Sequence, residues 1–286
     1  MHIFSMNEKA IKNERICYFM LKIRHFIYYF IIFLICMVMP LSIFAKDTKP
    51  SEENNFSLPK NVFTITKENT HKNTLEDESS IEPSDLTREL LDEAKITITN
   101  QRFIKLLNET SLKPSPISFG YRGTIYLGRW ALNYESEETN VNWGYQHVNT
   151  NEINNIGGNR EELLQYVQQG EKEIAGVLTS KITEPDDVRQ MMLLTVKEKT
   201  DLPVTFRTKI GNNTKGSNKY KVPIEKYGYL HTYVPAVHEK GKITFGEVYV
   251  QLKGSKKSLL IKNVTKQAIG AWMPLHDHVS LNVELK

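Results

Sequence analysis

The sequence predicts an α+β fold: an extended antiparallel β-sheet system with two or three covering helices. Two observations carry that expectation. After residue 118 the apolar residues recur with a period of two through most of the chain, and short Gly/Asn turns punctuate the final third, so successive strands should pair antiparallel. Ahead of and between these strands lie stretches with helix-start signals and a helical apolar stripe.

The chain opens on a segment of another kind. Lys9, Lys12, Arg15, Lys22 and Arg24 precede 21 uncharged residues, 25–45, within which Phe26–Met39 is continuously apolar. A basic region followed by an apolar run is the pattern of an export signal. Pro40 breaks the helix and Ile43-Phe44-Ala45 supplies a small residue, so cleavage after Ala45 is expected. The alternative is an uncleaved anchor, because a bilayer needs roughly 17–25 apolar residues. Both readings keep the basic flank in the cytoplasm and make residues 58–286 a single extracytoplasmic domain, secreted or tethered to the outer membrane face through residues 25–45. A start at Met20 would leave Lys22 and Arg24 as a compact basic region.

Both cysteines, Cys17 and Cys36, fall inside this segment. Residues 46–286 therefore lack thiol chemistry and disulfides, which suits a bacterial surface. The segment also holds five Lys/Arg against two Asp/Glu, so the whole-chain charge of +4 becomes +1 for residues 46–286. A near-neutral domain gives no electrostatic case for a nucleic-acid partner.

Residues 46–57 are polar, contain Pro50 and read as a flexible spacer. Val62, Phe63 and Ile65 form a short strand run. Pro83-Ser84-Asp85 starts a first helix with Leu86, Leu90, Leu91 and Ala94 on one face, followed by strand-like Ile96–Thr99. Phe103, Leu106 and Leu107 mark a second, short helix. Residues 118–134 and 139–149 read as two strands joined by an acidic turn at Glu135–Glu138. Residues 161–182 fit a strand face or a broken helix, and Gly170 and Gly176 favour strand. Thr183–Asp187 starts a further helix striped by Val188, Met191, Met192 and Thr195, with Lys197 and Lys199 near its negative end. Strands follow at Val204–Phe206, Tyr227–Val237, Lys242–Lys253, Ser258–Val264 and Val279–Leu285. Turns are expected at Gly211–Ser217, Glu239-Lys240-Gly241 and Gly254-Ser255.

The runs NVFTITKENT, LKPSPISFGYRGTIYLGRWALNYESEETNVNWGYQHVNTN, YGYLHTYVPAVHEKGKITFGEVYVQLKGSKK and KNVTKQAIGAWMPLHDHVS together resemble the YfkD-like family of Bacillus-type bacteria, over about residues 59–286. The resemblance implies an exported protein of this size. It brings no assigned activity, cofactor or catalytic residue.

No catalytic or cofactor-binding residue is assigned, and no cofactor is expected. His276-Asp277-His278 could supply two zinc ligands if His231 or His238 came near, but two ligands make no site, and an exposed turn is the expectation. Ser57-Leu58-Pro59-Lys60 matches the S-x-x-K of penicillin-binding proteins without the accompanying K-[ST]-G. Glu135, Glu137, Glu138 and Asp277 are the acids available for glycoside hydrolysis, the first three clustered as a solvated turn would be. Tyr227, Tyr229, His231 and Tyr233 share one strand face, with Trp130, Tyr134, Trp143 and Trp272 elsewhere in the strands. Such a face either braces a sheet or stacks on sugars and peptides. Lys253, Lys256 and Lys257 make a basic hairpin tip that could meet anionic polymers. The function expected is non-catalytic binding of an envelope protein or wall polymer; the alternative is a hydrolase of wall glycan or peptide.

Overall fold

The computed structural model describes residues 56–65, 80–110, 122–254 and 256–286, all within one compact unit spanning residues 54–286. The export segment, its cleavage position after Ala45 and spacer residues 46–55 lie outside the described residues. Among the described residues no helix is long and apolar enough to cross a membrane. Strand makes up 57% of the structure and three helices accompany it, so α+β holds in a coarser form, a mostly antiparallel β protein.

In chain order the elements are β1 (Val62–Thr64), α1 (Asp85–Asp92), α2 (Gln101–Glu109), β2 (Arg122–Asn154), β3 (Glu162–Val167), β4 (Lys172–Ala175) and β5 (Val177–Leu178). They continue with α3 (Pro185–Thr200), β6 (Arg207–Ile210), β7 (Lys215–Val222), β8 (Tyr227–Lys253), β9 (Lys256–Pro274) and β10 (His278–Leu285). α1 and α3 start where the sequence places them, and α2 forms around Phe103, Leu106 and Leu107. Ser84 accepts a hydrogen bond from the Thr87 amide, Asn100 accepts one from Phe103, and α3 carries Asp186 and Asp187 in its first turn with Lys197 and Lys199 in its last. Residues 161–182 are strands β3, β4 and β5, as the glycines suggest.

The largest departure from the sequence reading is strand length. Glu135–Glu138 is no turn, because β2 runs unbroken for 33 residues, and Glu239-Lys240-Gly241 is no turn, because β8 runs unbroken for 27. These two stretches face each other: Glu135 lies opposite Lys242, Ser136 opposite Gly241, Glu138 opposite Lys240 and Thr139 opposite Glu239. Charges that look like loop composition along the chain are complementary across it. Two shorter predicted strands also change character. Ile96–Thr99 is irregular and instead crosses the edge of β2, where the amides of Thr99 and Asn100 both donate to the Leu132 carbonyl. Val204 makes only an isolated bridge to Leu275. The turn expected at Gly211–Ser217 is shorter, residues 211–214, because β7 already begins at Lys215; it joins β6 and β7, which pair with β4 and β3 rather than with each other.

β8 is the axis of the molecule. At about 3.3 Å per residue it is roughly 90 Å of extended chain. One edge carries β2 along its whole length, and the other carries β10 up to Tyr233 and β9 from Ala236 onward. Pro235 stands at the changeover. It has no amide hydrogen to give to a ladder, and β2 bulges outward opposite it, where Asn142 pairs with Ala236 and Gln146 with Val234. Five such irregularities, all adding residues on the β2 side, explain why 33 residues run beside 27.

Core-facing residues on β8 change parity along its length. Leu230 and Val234 belong to a cluster with β3, β6, β7 and β10; Val237, Ile243 and Phe245 belong to one with α3; Val248 and Val250 belong to one with α1 and α2. Successive strand residues point to opposite faces, so the covering layers alternate sides. Each end of the sheet is covered on one face and its middle on the other. Three stretches of sheet are therefore left open, and the first of them holds the aromatic row.

Candidate functional site

The open face at the amino end of β8 is built by strand alternation alone. Leu230, Thr232 and Val234 turn inward and are buried, while Tyr227, Tyr229, His231 and Tyr233 turn outward and are half-buried. The sequence-predicted row is thus assembled as one surface. The Tyr227 and Tyr229 rings lie 6.3 Å apart at 18°, and Tyr229 and His231 lie 6.3 Å apart at 6°. His147, delivered by β2 just beyond its bulge, stands edge-on to Tyr233 at 5.3 Å and lies 6.0 Å from His231. Sequence reading places His147 on a strand but not beside this row, because its pairing with Tyr233, 86 residues away, has no local signal.

Register supplies the flanks. His231 lies between Thr150 on β2 and Asn282 on β10, and Tyr229 lies between Glu152 and Glu284. The Thr150 hydroxyl is 3.1 Å from His231 Nδ1 and 2.9 Å from His147 Nε2, fixing both imidazoles. Glu284 is 3.4 Å from His231 Nε2 and 3.2 Å from Lys286 Nζ, and hydrogen bonds from Lys286 and then His231 hold its carboxyl below the usual value. The Lys286 ammonium stands 5.2 Å from the Tyr229 ring centroid. The surface is amphipathic, with π faces, imidazoles and carboxylates in adjacent rows, as surfaces that stack on sugars or peptides are.

The remaining candidates are placed apart from it. His276 is buried, 3.1 Å from Asp277 and 3.3 Å from Thr208, which corrects the expected exposed turn. Asp277 takes a left-handed backbone (φ 54°) and its carbonyl accepts from the Ile65 amide, whereas His278 turns outward to Thr64 at 3.3 Å. That reversal separates the two imidazoles, and among the described residues no group of three or more His, Asp or Glu could hold a metal ion. Ser57 and Lys60 are both exposed before β1. Glu135, Glu137 and Glu138 pair with Lys266, Lys242 and Lys240 on the open middle of the sheet. Lys253 and Lys256 lie opposite each other at the β8–β9 turn, 20 or more residues along β8 from the aromatic row.

Two features escaped the sequence. Glu239 is fully buried, accepting from Tyr134 at 2.8 Å and Thr139 at 2.5 Å. Trp272 stacks on His238 at 4.2 Å and on Tyr145 at 4.9 Å; burial, then the nearby Lys240 charge, lowers the His238 pKa.

Comparison with known proteins gives a consistent result. The family model described as YfkD-like protein matches residues 59–286. A protein of Bacillus subtilis (strain 168) named "Uncharacterized protein YfkD" is 47% identical over 233 residues, covering 82% of this chain and 88% of its own. A crystal structure of lamprey immune protein aligns with 57% of this chain and about half (53%) of its own, at 6% identity and a TM-score of 0.25, too low to bear on the fold. Neither the family description nor the relative's name assigns an activity.

Proposed function

Because this chain belongs to the YfkD-like family, and because its long sheet presents an open row of aromatic rings, we propose that it is an exported cell-envelope protein that binds a partner protein or wall polymer without catalysis. The observation that carries the reading is the half-exposed Tyr227–Tyr229–His231–Tyr233 row. Tyr166, the large ring of the neighbouring core cluster, is fully buried, whereas the rings of this row are only partly buried. This row lies on the face opposite the cluster formed by Leu230 and Val234, so core formation does not account for it. Extracytoplasmic placement follows from the basic and apolar segment at residues 9–45, by cleavage after Ala45 or by retention as an anchor.

The hydrolase alternative has less support. Glu135, Glu137 and Glu138 are each paired to a lysine on an open face of the sheet, with about half of each carboxylate side chain in water. The test is capture of envelope components by the purified protein and by the Tyr229→Ala/Tyr233→Ala variant. A defined protein or polymer should be retained by the first and lost from the second, with circular dichroism confirming that both fold. Equal capture by both would refute the reading.

A further inference from the structure

We infer that the Tyr229 row is an ammonium-recognition site whose occupant is a lysine side chain of a partner polypeptide, and that Lys286 of this chain fills part of it in the absence of that partner. This rests on the aromatic face being the binding surface and adds the chemistry of its ligand.

The first observation is register. Tyr229 lies directly between Glu152 and Glu284, and directly opposed residues share a face. Neighbouring strands are about 4.8 Å apart, so the strand positions carrying the two carboxylates flank that of the ring at about that distance on either side. Along β8 the Tyr227 and His231 rings close the other two sides at 6.3 Å each. An aromatic face bordered by two acids attracts an organic cation through the ring quadrupole and direct charge together.

The second observation is that an ammonium already sits there. Lys286 pairs its backbone with Tyr227 and sends its side chain diagonally to the next row, placing Nζ 5.2 Å from the Tyr229 centroid and 3.2 Å from Glu284. It engages one acid of the two. Glu152 is exposed and has no ion pair among the described residues. The Lys286 side chain is itself 64% exposed, so its contacts are those of a weak surface pair that a second cation can displace. Lys286 offers its ammonium from extended backbone lying alongside β8, which favours a polypeptide occupant over an amine-bearing glycan.

The test is titration of the full chain with an acetylated, amidated peptide of three lysines spaced by serines, beside the same peptide with every lysine Nε-acetylated. The lysine peptide should bind at low salt and the acetylated one at least about tenfold more weakly. Lys286→Ala should tighten binding by about two- to fivefold, and Glu152→Gln in that background should weaken it by a similar factor. Tyr229→Phe, which keeps the π face, should bind as the parent does, while Tyr229→Leu should not. Equal binding of the acetylated peptide, or no gain from Lys286→Ala, would overturn the inference, as would retention of an amine-bearing glycan with no binding of the lysine peptide. Envelope capture that needs Tyr229 but ignores Glu152→Gln and Glu284→Gln would remove the ammonium site and leave the binding face standing. Capture indifferent to the tyrosines would remove both.

Discussion

Glu239 is a fully buried acid inside the sheet. A carboxylate with no exposed surface is tolerated only when its oxygens are hydrogen-bonded, and here Tyr134 serves one and Thr139 the other. Lys199, near the end of α3, donates in turn to Thr139 at 2.7 Å, tying the helix to the sheet through the same group. Burial first, and then the carboxylate, keep the Tyr134 phenol protonated far above its usual range. Removing that hydroxyl leaves a buried acceptor short of one donor, so Tyr134→Phe should cost about 2 kcal/mol in urea unfolding and Glu239→Ala more. A change below about 0.5 kcal/mol for Tyr134→Phe, the range of an ordinary surface substitution, would show that water replaces the donor. None of this is readable from sequence, where Glu239 beside Lys240 and Gly241 has turn composition. The aromatic row is readable, because alternation within one strand fixes which side chains share a face whatever the strand pairs with.

At the scale of elements, sequence reading locates the three helices of the described residues and most strands but breaks β2 and β8 each into two. Helix caps are local, so Pro83-Ser84-Asp85 announces α1, whereas α2 is marked in sequence only by Phe103, Leu106 and Leu107 and its cap, Asn100, emerges from the structure. Strand continuity is settled by the partner, and the partner of Glu135–Glu138 lies more than 100 residues away in Lys240 and Lys242. Gly241 likewise reads as a turn glycine, yet its role is close approach: a Cβ there would stand 2.2 Å from the Glu135 carbonyl and 2.6 Å from the Tyr134 hydroxyl. Gly241→Ala must therefore push β2 away from β8 at their midpoint, and it should destabilise by about 3 kcal/mol, as overpacking against backbone does. Thermal denaturation would check this, and an unchanged Tm would mean that the bulge at Glu137 takes up the strain.

Across the whole molecule, acid titrates three stretches of the sheet together. Glu284 at the aromatic row, Glu138 in the middle and Glu247 towards the far end are all held below the usual carboxylate value. The main donors are Lys286, Lys240 and Asn263 respectively. A depressed folded-state pKa gives stability that is fully present above the unfolded value of about 4.3 and is lost as pH falls through the folded value. Thermal melts should decline modestly below about pH 6.5, where His238 protonates more readily in the unfolded chain than in the fold, and fall further below about 4.3, that second fall being less steep for Glu247→Gln. A Tm that declines only above pH 7 would contradict the assignment.

The pairing of β2 with β8 also sets an order of events in time. Arg122 meets Lys253 across 131 residues and Asn154 meets Tyr227 across 73, so a chain made or threaded from its amino end carries β2 for a long interval before β8 exists. Pairings this distant close late and fold slowly. During that interval a 33-residue strand has no ladder to join, and an unpaired strand is where association with a second chain begins. The like-charged Glu135, Glu137 and Glu138 of β2 then act before the fold exists, because two copies of this stretch repel each other until Lys240, Lys242 and Lys266 are made.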